Sequence, residues 1–285
     1  MMRYLAGLFD AEGCVSLTPG GNSRITLAIT CEKSANLFKE YFNGNIRISK
    51  RDHKKDVYTW DSLVSNQKRF ITEIEKLSII KRPQLLLLRE YLHLRREERR
   101  SRRKDFVAKI AACKKPRISS REELEIETSI IPDEEFYQWF AGFMEGDGSF
   151  CCWESKTLSH KKPSFSTSIE ACNCQPDAII YIKQRLEGSI GVNKQNKNPV
   201  WKWLSSPYNS LSVLARLYPH LISKQEQCKL LMEFRTIIAS RKRKPVGRGS
   251  GKCTKGGWGN PDFLFTQEEI TRLREIICQM QFLHK

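Results

Sequence analysis

Apolar and polar positions follow one another along this chain in two periods, and the order of those periods occurs twice. Residues 4–12 (YLAGLFDAE) are apolar at nearly every place, carry Ala6 and Gly7 as a small flat patch, and predict a buried helix with an acidic last turn. Period two takes over at 14–18, a turn signal follows in Pro19-Gly20-Gly21-Asn22, and in residues 24–31 Ile25, Leu27 and Ile29 alternate with Arg24, Thr26, Ala28 and Thr30. That pattern predicts a hairpin with one buried and one wet face. Residues 34–42 return to the helical period and stop at Asn43-Gly44-Asn45, and 46–49 with 57–63 predict a second hairpin whose loop includes RDHKKD. Two helices are expected next, 68–77 and 83–94, the second with Pro83 in the first turn, where its missing N–H costs no helical bond.

The same order restarts at residue 137. YQWFAGFMEGDGSF (137–150) again places small residues, Ala141 and Gly142, on an apolar helix that ends in an acid. Strands are expected at 149–154 and 164–174, a helix at 177–186, a hairpin from 190–192 and 200–204 around NKQNKN, and helices at 210–217 and 225–240. Trp201 and Trp203 share one strand face by period two and are expected in the core. Registering the halves lays 42–46 over 186–190 and 81–84 over 224–227, which an internal duplication explains. The expected organisation is α+β: a first repeat over 1–103, a linker over 104–133 that lacks steady periodicity and ends in Ile131-Pro132-Asp133, and a second repeat over 134–285. RREERRSRR (95–103) reads either as a solvated helix end or as a phosphate-contacting segment. Residues 241–261 are basic and glycine-rich and are expected to form a mobile loop or a phosphate-tracking strap, after which Thr266 and Glu269 form a capping box for a last helix.

Charge narrows the partner. The 285 residues hold 49 Lys plus Arg against 32 Asp plus Glu, a net charge of +17, with a sequence pI of about 9.5. A polyanion, and nucleic acid above others, is the expected partner. No apolar run is long enough to span a bilayer and the first residues do not read as a signal peptide, so a soluble chain with no membrane partner is expected. The ten cysteines show no Cys-x-x-Cys pair and fall largely in apolar or strand-like runs, which argues for a reducing compartment and against a structural zinc site.

The repeated acids carry the candidate chemistry. If the small faces of the two helices pack about a pseudo-two-fold axis, Glu12 and Asp147 come side by side at the base of two four-stranded sheets. Paired carboxylates are ligands for hard divalent ions, which assist phosphodiester hydrolysis. Lys81 and Lys224 stand at equivalent places before long helices and are candidates for stabilising charge on a scissile phosphate. On the wet strand faces Arg24, Thr26, Thr30 and Lys202 can read base edges, while Lys54, Lys55, Lys194 and Lys197 hold phosphates from the loops.

LAGLFDAEG (5–13) and FAGFMEGDG (140–148) resemble the two copies of the LAGLIDADG motif in the single-chain, double-motif branch of the homing endonucleases. The resemblance covers nearly the whole chain. It implies an αββαββα fold in each half, motif helices at the interface, and antiparallel sheets forming a saddle over double-stranded DNA. It also implies a monomer, intron-encoded, that makes site-specific double-strand breaks with short 3′ overhangs in a long target. Magnesium is the usual ion, with manganese or calcium able to occupy the site. The metal ligands carry over to Glu12 and Asp147 with the carbonyls of Ala11 and Gly146, the basic residues to Lys81 and Lys224, and a water-ordering polar residue to Gln175, over which Cys31 lies in the first half. The alternative within the family is a maturase, with intron RNA as partner and no cleavage; such relatives often lose an acid, and both are kept here. A basic structural RNA-binding protein would leave the paired acids without a role. An organelle, mitochondrion or chloroplast, is the compartment the resemblance implies.

Overall fold

The computed structural model describes residues 1–52, 54–115, 130–155, 163–193, 199–240 and 265–284. The first half runs α1 (Met2–Glu12), β1 (Gly13–Leu17), β2 (Ser23–Ile29), α2 (Glu32–Phe42), β3 (Asn45–Ser49), β4 (Val57–Asp61), α3 (Gln67–Ile74), α4 (Arg82–His93) and α5 (Arg96–Ala112). The second repeats it as α6 (Glu134–Asp147), β5 (Gly148–Ser155), β6 (Ser164–Asn173), α7 (Pro176–Lys183), β7 (Gly188–Asn193), β8 (Val200–Ser205), α8 (Ser210–Leu217), α9 (Gln225–Ala239) and α10 (Gln267–His284). Each half is the expected αββαββα order extended by two helices.

Both sheets are antiparallel and share one topology, β1-β2-β4-β3 and β5-β6-β8-β7. Gly13 pairs with Leu27 and Leu27 with Trp60; in the second sheet Gly148 pairs with Ala171 and Ala171 with Trp203. The register therefore equates Leu27 with Ala171 and, four residues on, Cys31 with Gln175, as the sequence alignment of the halves requires. Alternation decides the faces. Ile25, Leu27 and Ile29 are buried beneath the helices while Arg24 and Ala28 are exposed on the open side. Trp60 and Trp203, opposite Ile46 and Ile190, fill the two cores and are fully buried.

The halves are joined chiefly by α1 on α6, the most extensive helix packing among the described residues. A Cβ on Gly7 would lie 1.9 Å from the Trp139 carbonyl oxygen, and one on Gly142 would lie 2.0 Å from that of Tyr4. The contact is reciprocal, so the backbones touch where each helix has no side chain. Larger neighbours on the same helices, Phe9, Phe140 and Phe143, turn into the cores and are fully buried.

One boundary differs from expectation. The chain does not enter a linker at residue 104: Leu94 and Arg95 are extended, Glu98 accepts from the Arg95 N–H at 2.8 Å, and α5 continues to Ala112. Only Phe106 and Ile110 are buried along this helix, with Arg102 over the Phe106 ring at 5.0 Å. Two apolar residues four apart among so many charges leave no periodic signal to read. The expected loop at 241–261 lies outside the described residues. The capping box of α10 forms as expected, Thr266 N–H to Glu269 Oε2 at 2.9 Å and Glu269 N–H to Thr266 Oγ1 at 3.1 Å.

Gly142→Ala is expected to destabilise the protein by about 2 kcal/mol or more through backbone overpacking, outweighing the roughly 1 kcal/mol gain in helix propensity. Gly191→Ala, whose Cβ meets nothing within 4 Å, is expected to change stability by under about 0.5 kcal/mol. Chemical denaturation of the two variants checks the contrast.

Candidate active site

Each motif contains two acids, and the structure gives them different work. The first, Asp10 and Glu145, are buried. Asp10 accepts from Ser78 Oγ, from the N–H groups of Ile79 at 2.7 Å and of Ile80 and Lys81 at 3.0 Å, and from Trp139 Nε1 at 3.0 Å across the seam. Glu145 does the same for the other turn, accepting from Ser223 Oγ and from the N–H groups of Ile222 at 2.5 Å, Ser223 at 2.9 Å and Lys224 at 3.5 Å. Burial pushes the Asp10 carboxyl up, and those hydrogen bonds oppose the shift. The two carboxylates thus fasten the turns that open α4 and α9, whose caps are Lys81 and Lys224. Neither acid stands out by periodicity or composition, although their equivalence in the repeat is visible in the chain.

The second acids end α1 and α6 and meet at the seam. A Cβ on Gly146 would stand 2.7 Å from Glu12 Cγ and 3.1 Å from its Oε1, so Glu12 lies directly against the residue before Asp147. Burial pushes Asp147 up to about 7; the Asn173 hydrogen bond opposes this and the Glu12 charge adds to it. Glu12 is also raised by burial, countered first by Lys224 and then by Lys81, whereas Asp147 feels Lys81 before Lys224. Both lysines thus act on both carboxylates, while each lysine is itself influenced first by the buried acid of its own half, Lys81 by Asp10 and Lys224 by Glu145. Both ammonium groups are pushed down by burial. Lys224 Nζ donates to the carbonyls of Met144 at 2.7 Å and Gly148 at 2.6 Å, which hold it under the end of α6.

Among the described residues Gln175 makes no hydrogen bond to either carboxylate. Its Nε2 donates to the Lys115 carbonyl at 2.8 Å and the Cys113 carbonyl at 3.5 Å. Asn173 takes that place: its Nδ2 donates to Asp147 Oδ2 at 2.5 Å, and its Oδ1 accepts from the Gln175 N–H at 2.7 Å, which fixes the amide's orientation. Gln175 caps α7 beyond the strand, whereas Asn173 ends β6 and shares the sheet face of the acid. The register equates Asn173 with Ile29, so no amide faces Glu12 from the equivalent place.

The expected DNA-facing residues divide. Arg24 and Arg47 converge on Asp61 on the open face of the first sheet, at 3.2 Å and 2.6 Å, with Thr26 opposite Asp61 in register. Thr30, Lys54 and Lys55 line a cavity of about 610 Å³ with Glu12, Gly146 and Lys224. Lys202 pairs with Glu170 on the second sheet. Lys194 and Lys197 lie outside the described residues.

The site fits a hard divalent cation. The candidate donors, the carboxylates of Glu12 and Asp147 and the neighbouring carbonyls of Ala11 and Gly146, are all oxygen, the kind such an ion takes. Two desolvated carboxylates, one of them raised further by the charge of the other, form a negative site that a cation relieves. Because the Asp147 folded value, about 7, exceeds its ordinary 3.8, ionising it without metal costs stability as pH rises from about 4 to 7, whereas binding metal requires it ionised. Calcium is therefore expected to raise the melting temperature more at pH 8 than at pH 6, and Asp147→Asn to remove most of that difference. Thermal unfolding with and without the ion measures it, and equal increments at both pH values would contradict the assignment.

Comparison with known proteins bears on the fold. Residues 1–91 match the family model for the LAGLIDADG-like domain. No curated protein matches the chain. Among solved structures, a single-site mutant of I-SmaMI superposes with a TM-score of 0.67 at 17% identity, covering 98% of this chain and 99% of that one. The LAGLIDADG homing endonuclease I-GzeII, solved in complex with a DNA target, gives 0.66 at 17% identity over 100% and 99% of the chains. I-LtrWI, solved bound to target DNA, gives 0.67 at 16% identity over 98% and 96%. Residues 1–91 are thus similar to the LAGLIDADG-like domain, and the whole chain shares the fold of these solved structures.

Proposed function

We propose that this protein is a site-specific DNA endonuclease that cuts both strands of a long target by divalent-metal-assisted phosphodiester hydrolysis, leaving short 3′ overhangs, as in intron homing. The observation that carries the reading is the meeting of Glu12 and Asp147, with both lysines acting on them, at the seam between two open sheets. Structures with this fold include I-SmaMI bound to an uncleaved DNA target with calcium ions and bound to cleaved DNA. The net charge of +17 supplies the attraction to the duplex. A maturase would need neither a desolvated pair of acids nor lysines held beside them.

Glu12 and Asp147 would hold magnesium with the Ala11 and Gly146 carbonyls, and the ion when bound activates water and stabilises the oxygens of the displacement. Asn173 occupies Asp147 Oδ2 and so orients the carboxyl toward the seam. Lys81 and Lys224 place a poorly solvated ammonium beside each acid, where charge grows on the scissile phosphate. Arg24, Arg47 and Lys202, which are paired with Asp61 and Glu170 in the free protein, present the charged face of the sheets to DNA.

Glu12→Gln and Asp147→Asn are each expected to slow cleavage in magnesium by about 10²-fold or more while DNA affinity in calcium changes by less than about threefold. The substrate is a site selected by cleavage from a randomised library. Cleavage at the native rate by either variant would exclude the proposed role.

A further inference from the structure

The two added helices correspond. α5 packs on α4 and β1, and α10 packs on α9 and β5. The last residues of α10 reach the cavity that holds Glu12, and those just past α5 reach Gln175 of the opposite half, but what they deliver differs. At the end of α10 a main-chain acceptor arrives: the Leu283 carbonyl takes hydrogen bonds from Lys55 Nζ at 2.9 Å and Gln227 Nε2 at 3.4 Å, beside the cavity that holds Glu12. At the end of α5 a cation arrives. Gln175 of the opposite half donates to the carbonyls of both Cys113 and Lys115, so the residue between them is held from across the seam. Lys114 Nζ then lies 3.5 Å from Cys14 Sγ, on the exposed side of β1. It is close enough to Lys81 for the two charges to repel, and Lys81 is the lysine that acts first on Asp147. Lys114 is exposed, and among the described residues no carboxylate pairs with it. Two cations held together in this way are relieved by an anion between them.

We propose that Lys114 contacts the phosphate of one DNA strand only, adding a second cation to the Asp147–Lys81 centre, and that Gln175 is the positioning residue that carries it there. The inference rests on the nuclease reading above; at the Glu12–Lys224 centre the corresponding second cation is Lys55, which comes from between β3 and β4 and donates to the Leu283 carbonyl.

Strand-resolved nicking of a supercoiled plasmid bearing the selected target tests it. Lys114→Ala is expected to slow one strand about tenfold or more and the other by less than about twofold, Lys114→Arg to restore most of the rate, and Gln175→Ala to reproduce the bias. Lys104→Ala, which removes a charge elsewhere on α5, is expected to leave the ratio of the two rates unchanged. Equal slowing of both strands by Lys114→Ala, or no slowing, overturns the proposal. Amine acylation of the protein with duplex target in calcium reads the contact without cleavage: DNA is expected to protect Lys114 more than Lys104. Equal labelling overturns the phosphate contact, whereas protection in a protein that cuts no DNA supports the contact and overturns the nuclease reading alone.

Discussion

The direct backbone contact of α1 with α6 is the constraint on which the rest of the molecule depends. Gly7 lies on the Trp139 carbonyl and Gly142 on that of Tyr4, and no side chain separates the helices at that point. Because each helix runs without a connecting residue into the first strand of its sheet, fixing the pair fixes both sheets and brings the two last turns together. A wider separation, as between helices packed through Leu or Phe, would place the terminal acids too far apart for the charge of Glu12 to act on Asp147. The meeting of Glu12 and Asp147 is thus a consequence of small residues one turn or more away from them.

Within that frame the four motif acids divide by their hydrogen-bond donors. Asp10 and Glu145 are each surrounded by main-chain N–H groups and a hydroxyl, so their charge is met by the protein and committed to holding a turn. Asp147 has one amide donor, and among the described residues no donor reaches Glu12. A buried carboxylate whose lone pairs are left open is costly in isolation and useful to a cation. The turns held by the first pair carry Lys81 and Lys224, which makes the first acids the support for the lysines that stand beside the second acids. Neighbouring positions on one helix therefore set both the open carboxylates and the charge beside them.

The pseudo-symmetry is complete in the framework and broken at the chemistry. Strand order, register and the two core tryptophans repeat. The side chains around the acids do not: Glu12 stands where the other half has Asp147, Ile29 where it has Asn173, Cys31 where it has Gln175. Packing demands the same small and large residues in both halves, whereas the side chains around each acid are not held to that demand and are free to differ. The helices added beyond the repeat, α5 and α10, carry the difference further by ending in unlike groups at the seam.

By itself the sequence determined the duplication, the helix and strand order of both halves, the inward faces of the strands, and the two acids and two lysines that converge. Each of these is written in local periodicity or in a comparison of one half with the other, and both are properties of the chain alone. What the fold decided was which groups face each other across the seam. Gln175 aligned with a site residue and yet points to the end of α5, because a helix cap two residues past a strand turns away from the sheet that Asn173 still occupies. The meeting of the acids with both lysines, the role of Asp10 and Glu145, and the continuation of α5 through residues read as a linker all depend on contacts between segments distant in sequence, with buried faces as small as Phe106 and Ile110. No local pattern encodes such contacts, since the side chains that make them are chosen by what the other half presents.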